Sequence, residues 1–193
     1  MTGDRLPPPL DAELSPEQRA AVAEISSGPR GAVIGPFAPL LRSPELMARL
    51  QRVGEYLRWS SPLERRLFEM TVLFVSRWWD QPFEWAHHRP LALQAGLDAG
   101  VVDAIGEGRR PPAMDPAAAA VWDLLDELHR TRQVGDDTWA RALAELGDAA
   151  VVEVVGTAGY YTTLAMVMNV ARTPVPEGAD PLPDARAQDG AAR

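Results

Sequence analysis

The chain has 193 residues, of which 46% are apolar and 24% charged; this is room for one domain or two small ones with a substantial core, and the balance excludes wholesale disorder and fibrous repeats. A net charge of −8, with the positive charge carried by arginine, argues against a nucleic-acid partner. There is no cysteine, which removes disulfides, thiolate nucleophiles, CxxC redox centres and cysteine-bound metals.

In chain order, Met1 to Gln18 has acids and prolines where a signal peptide needs a basic start and an apolar run, so a cytoplasmic protein is expected. Ser15-Pro16-Glu17-Gln18 has capping-box spacing, and Ser43-Pro44-Glu45 and Ser61-Pro62-Leu63-Glu64 repeat the serine-proline start. Asp115-Pro116, Asp136-Asp137 and Gly147-Asp148 are further starts. The pattern predicts an all-α protein with helices over 16–26, 44–58, 62–79, 82–95, 98–106, 116–132, 137–146 and 148–171. Ser27 to Pro39, rich in Gly and Pro, is expected to wrap as a loop rather than pack. Thr173 to Arg193, with its prolines and small residues, is expected to be a mobile tail. Ala149 to Ala171 is long and apolar enough to resemble a membrane span, with Glu153 its only charge. Its threonines, Asn169 and missing flanking belts favour a helix buried in a core or interface, so no membrane partner is expected.

The helix over 62–79 has Leu63, Leu67, Met70, Phe74 and Trp78 on one face, with Val72, Leu73 and Val75 extending its apolar surface. Glu69 is therefore either an acid held at the edge of an apolar cylinder or one half of a surface i,i+4 pair with Arg65. Asp80 to Pro90 is the segment densest in functional groups and holds two of the three histidines. Glu84 and His88 share a helical face, flanked by His87, so a carboxylate there can orient an imidazole for acid–base work near neutral pH. Equally, Glu84 can complement a helix dipole while the histidines cap a surface. Pro90 marks either a kink or a helix boundary. One Glu84-x-x-His87 without a second such motif, and histidines at 87 and 88 that diverge around a helix, give no metal site. Phosphate loops and serine-hydrolase elbows are absent. His129 reads as a solvated helix end, and Trp78, Trp79 and Trp85 as pocket wall or core.

The runs Leu67-Phe68-Glu69, Val75-Ser76-Arg77, Phe83-Glu84-Trp85-Ala86-His87-His88 and Ala95-Gly96-Leu97 resemble the carboxymuconolactone decarboxylase family of the AhpD-like superfamily. The resemblance covers about residues 35–171 and implies an AhpD-like bundle of about six to eight helices, usually a homotrimer or hexamer. It divides the chain into an extension with one short helix (1–34), the family domain (35–172) and the tail (173–193). The peroxidase branch has a glutamate, a CxxC pair and a histidine; that spacing falls on Glu69, Gln81, Glu84 and His88. With neither sulfur present, thiol peroxidase chemistry is not implied. The decarboxylase branch implies cofactor-free loss of CO2 from a small carboxylated lactone or related acid. In that reading His88 handles the proton, Glu84 orients it and Glu69 is a second acid or base. Arg77 or Arg89 is expected to hold a substrate carboxylate by charge complementarity. His87, Trp85 and Tyr160 are expected to border the substrate, and Tyr161 and Asn169 on the same last helix are placed to line that cavity with Tyr160, although the tyrosines can equally pack at an interface. The alternative is a non-redox AhpD-like binding or stress-related protein.

Overall fold

A computed structural model describes residues 3–184. Among these, regular structure is entirely helical: a 3-10 turn at Asp11–Glu13, then α1 (Pro16–Ser27), α2 (Phe37–Leu40), α3 (Pro44–Trp59), α4 (Arg65–Trp78), α5 (Pro82–Gln94), α6 (Ala99–Gly106), α7 (Pro116–Thr131), α8 (Asp136–Leu146) and α9 (Asp148–Ala171).

Side-chain capping is present at four of the nine α-helix starts among the described residues, and the expected starts at Ser43, Asp136 and Gly147 open helices without a side-chain cap bond. Ser15 Oγ accepts from the Gln18 amide at 3.2 Å, and Gln18 Oε1 accepts from the Ser15 amide at 2.9 Å, a full capping box. Asp98 and Asp115 cap α6 and α7 with their carboxylates. The Ser61 signal resolves differently. Its hydroxyl accepts from the Leu63 amide two residues on and donates to Glu153, which makes a local turn. α4 therefore begins three residues later than the expected Pro62, at Arg65.

α4 is the hub, with every residue from Leu67 to Ser76 buried, and it packs most extensively against α5 and α9 while also meeting α6 and α7. Asp80, with φ of 47°, turns the chain sharply from α4 into α5, a conformation that Asp tolerates better than most residues. α5 runs unbroken through Pro90. α9 has the length and apolarity to cross a membrane, yet half of that stretch is buried inside the bundle.

Two segments depart from the loop and tail expected of them. Phe37 to Leu40 form a buried helical turn rather than a wrapping loop. Pro36 already has helical backbone angles (φ −63°, ψ −21°), and Phe37 and Leu40 have apolar side chains to bury. This short helix takes the number of α-helices among the described residues to nine. Thr173 to Asp184 has no helix but turns back onto the bundle. Leu182 packs on the core, and the Pro183 carbonyl accepts from Arg77 at 2.6 Å. The rest of the expected tail, 185–193, lies outside the described residues. At the other end, Arg5 donates its amide to the Ala171 carbonyl at 2.7 Å, and Arg42 holds the Leu6 and Pro7 carbonyls.

Candidate functional site

The corner at Asp80 folds α5 back along α4, so residues apart in sequence meet across the helix pair. His88 Nδ1 lies 2.7 Å from Glu69 Oε2, both groups being buried. Arg65 Nη2 is 2.5 Å from the other oxygen, Oε1, an ion pair that lacks the angle of a hydrogen bond. Glu69 is buried and paired with Arg65 at once, so the pair is not the surface contact the spacing allowed.

Burial pushes the Glu69 carboxyl up, but the bond from His88 and the charges of His88, Arg65 and Arg58 outweigh it and hold the group below its ordinary value. An ionised carboxylate only accepts, so His88 Nδ1 carries the proton and donates it. Burial is the largest influence on His88 and lowers its pKa, with Glu69 opposing in part. The ring is thus neutral at pH 7, its tautomer fixed, with Nε2 left as the basic nitrogen.

This corrects the expected pairing. No hydrogen bond joins Glu84 to His88; Glu69 orients the imidazole instead. Helical spacing places Glu84 and His88 on one face, but the tertiary contact with Glu69 takes Nδ1. Glu84 is 2% exposed, and neither of its carboxyl oxygens has a hydrogen-bond partner. Burial drives its pKa well above the carboxylate range, leaving it a neutral acid at pH 7.

Glu84, His87 and His88 border one pocket with Arg30, Ile34, Pro36, Phe37, Arg58, Phe83, Tyr161 and Leu164. Its free interior is about 30 Å³, room for roughly one or two waters. His87 stacks on Phe83 at 6.3 Å and meets the edge of His88 at 5.0 Å. Burial, helped by the neighbouring His88, lowers its pKa to about 4. Tyr161 stands edge-on to His88 at 5.1 Å, and burial raises its phenol.

The other expected substrate contacts lie elsewhere. Arg77 donates to the carbonyls of Gly106 and Pro183 and pairs with Asp80. Arg89 pairs with Asp180 at 2.6 Å and stands 3.7 Å from Asp103. Folding commits both guanidinium groups to the tail side. Trp85 is buried over Gly106, where a Cβ would come within 2.7 Å of its ring, so it fills core instead of bordering the pocket. Tyr160 is also buried outside it, its hydroxyl against Gly54 and its pKa pushed up to about 12 by burial. Adjacent helical residues diverge by roughly 100°, and the register gives the pocket to Tyr161. Asn169 links α9 to Gln81 and to the Trp79 carbonyl, and Gln81 also caps α5 through the Phe83 amide. His129 is half-buried against Phe74 and Trp78, with Nδ1 2.8 Å from the Leu125 carbonyl, rather than solvated.

Residues 44–127, spanning α3, α4, α5, α6 and most of α7, match the sequence model of the carboxymuconolactone decarboxylase family. The whole fold is similar to that of an uncharacterized peroxidase-related protein from Ralstonia eutropha JMP134, described as an alkylhydroperoxidase AhpD core. That match has 16% identity and a TM-score of 0.73 over 90% of this chain and 93% of the other. A protein of unknown function from Agrobacterium tumefaciens, which carries the name of the antioxidant defence protein AhpD, matches at 19% identity and a TM-score of 0.64, over 71% of this chain and 94% of its own. No curated protein matches the chain. Glu69, Glu84 and His88 all fall inside the family segment. The remaining pocket residues missed in the sequence divide: Arg58 and Phe83 lie within it, whereas Arg30, Ile34, Pro36, Phe37 and Leu164 lie outside, as does Tyr161, which the sequence did offer as a cavity residue. An arginine placed among Val33, Ile34 and Phe37 in the Gly- and Pro-rich segment was the one signal available for Arg30.

Proposed function

We propose that this chain is a cofactor-independent proton-transfer enzyme of the carboxymuconolactone decarboxylase type, acting on a small carboxylated lactone or related acid. The observation that carries this reading is the His88–Glu69 bond of 2.7 Å at a pocket that also holds the unpaired, neutral acid Glu84. Environments that push two titratable groups apart assign their roles: Glu84 keeps a proton to give, and His88 has a lone pair to accept one. Glu69 positions the ring and stabilises the imidazolium when it forms.

For decarboxylation, the bond from the substrate carbon to its carboxylate breaks, CO2 leaves, and the electron pair passes into a conjugated carbonyl of the substrate. Glu84 then delivers its proton to carbon, and His88 takes one from solvent at its free nitrogen to restore the acid, so one proton is consumed per CO2 released. Paired and apolar walls around the acid strengthen this transfer by excluding water.

The test is incubation with a panel of carboxylated γ-lactones in D2O, followed by NMR and CO2 release. One deuterium on carbon per CO2 released is expected, at the end of the conjugated system where the double bond moves away. A His88→Ala protein that turns over the same compound at the wild-type rate would falsify the assignment.

A further inference from the structure

Two guanidinium groups at the pocket have no carboxylate to neutralise them. Arg30 and Arg58 both border it, and neither has a carboxylate within 4.0 Å among the described residues. Nε and Nη2 of Arg30 and Nε of Arg58 are buried donors without partners. Both cations are held by aromatic faces: Arg30 sits 4.4 Å from the centre of the Phe37 ring and 5.6 Å from that of Trp59, and Arg58 sits 4.8 Å from Trp59. Such stacking fixes a guanidinium in place while leaving its N–H edge free to donate. Glu55 attracts Arg30 through space only, its carboxylate lying beside Gly28.

The acids nearby do not cancel this charge. Glu69 is already paired with Arg65, and Glu84 keeps its proton in its buried site. The pocket therefore holds a net positive charge next to a neutral imidazole and a neutral carboxylic acid, and two planar forks of donors suit a planar anion.

We propose that Arg30 and Arg58 form an anion subsite that takes the carboxylate of a small planar acid and holds it beside His88. The proposal rests on the proton-transfer reading for the class of substrate, but the subsite can be tested without turnover. Arg30 precedes the family segment, as do Ile34, Pro36 and Phe37, so acid recognition is built from a part of this chain that the family match does not include. Because the free interior is so small, the acid must displace part of this wall. Gly31 has open space around it and a φ of 74°, and it follows Arg30 directly.

The experiment is isothermal titration of the full chain with 2-furoate, a ring carboxylate of lactone size, and with its neutral isostere 2-furamide. Furoate should bind saturably, and furamide at least about tenfold more weakly. Arg30→Gln and Arg58→Gln should each weaken furoate about tenfold or more, with Arg30→Lys and Arg58→Lys recovering part of the loss. Arg77→Gln should leave it unchanged. Circular dichroism checks that each variant folds, and the lysine variants stand in where a glutamine variant does not. Equal binding of furoate and furamide, no saturable furoate binding by the wild type, or wild-type affinity in both glutamine variants overturns the subsite. His88→Ala should still bind furoate. Furoate binding retained by a wild type that turns over no carboxylated lactone sinks the catalytic reading and leaves the subsite standing.

Discussion

The pocket side and the tail side of the α4–α5 pair hold the same kind of side chain in opposite states. On the tail side Arg77 and Arg89 are spent on Asp80, Asp180 and the backbone carbonyls of Gly106 and Pro183. On the pocket side Arg30 and Arg58 rest on aromatic faces with donors unused. A cation that folding has satisfied is a clamp, and one that folding leaves facing a cavity is available to a ligand. Charge read from sequence does not distinguish the two, because the difference lies wholly in the partner.

The largest expected effects separate the two sides by activity. Glu69→Gln, His88→Ala and Glu84→Gln should each lower kcat/KM at least about 100-fold, the scale of a lost acid–base group. Arg77→Gln and Arg89→Gln should leave it within about twofold. Initial rates on whichever compound of the lactone panel is turned over decide this, and loss of activity in the tail-side variants would erase the contrast.

Stability against pH sharpens it next. All three histidines are held below their ordinary 6.5, mainly by burial, His87 to about 4. Above pH 6.5 neither folded nor unfolded chain protonates them and stability is complete. Below it the unfolded chain takes protons that the folded chain refuses, so stability falls until the folded values are passed. Glu84 has the opposite sign. Its folded pKa is raised, so its contribution is full below about 4.5 and is lost as pH rises through the folded value. Glu84→Gln should therefore gain Tm relative to wild type at pH 8 but not at pH 4, and His87→Gln should flatten the decline between pH 6.5 and 4. Parallel Tm curves for wild type and His87→Gln would show that His87 is not held neutral.

Three of the helices were legible because their starts are local. Ser15, Asp98 and Asp115 cap by side chains only two or three residues from the amides they serve. Phe37 to Leu40 was not, since its reason to be helical is burial against distant residues. In the site, spacing and family resemblance pointed to Glu69, Glu84 and His88, but i,i+4 geometry paired the wrong acid with the ring. Nothing within one helix records that α4 brings Glu69 to His88 across the Asp80 corner. Arg30 and Arg58 were missed for a related reason: an arginine is conspicuous in three dimensions only when its partner is missing.

A smaller effect is expected behind the pocket. A Cβ on Gly54 would stand 2.1 Å from the Tyr160 hydroxyl and 2.9 Å from Arg30 Nη2. Gly54→Ala should cost about 1–3 kcal/mol through overpacking, and it should also weaken furoate by shifting Arg30. Chemical denaturation and titration of the same protein measure both. A stability loss with unchanged furoate affinity would separate Arg30's position from the packing of α3 on α9.

The smallest effects rank the two tail-side arginines against each other. Arg77 is the better shielded, and its two bonds to backbone carbonyls have no substitute in a glutamine variant, so Arg77→Gln should cost about 1–2 kcal/mol. Arg89 meets Asp180, whose side chain is 70% exposed; water and salt replace most of that attraction, and Arg89→Gln should cost under about 1 kcal/mol. The order should survive 1 M salt, which screens the Arg89 pair while leaving the Arg77 carbonyl bonds largely intact. If Arg89→Gln proved the more damaging and its penalty persisted in salt, the segment from Thr173 to Asp184 would be held chiefly by its acids, and the tail side would depend on charge as much as the pocket does.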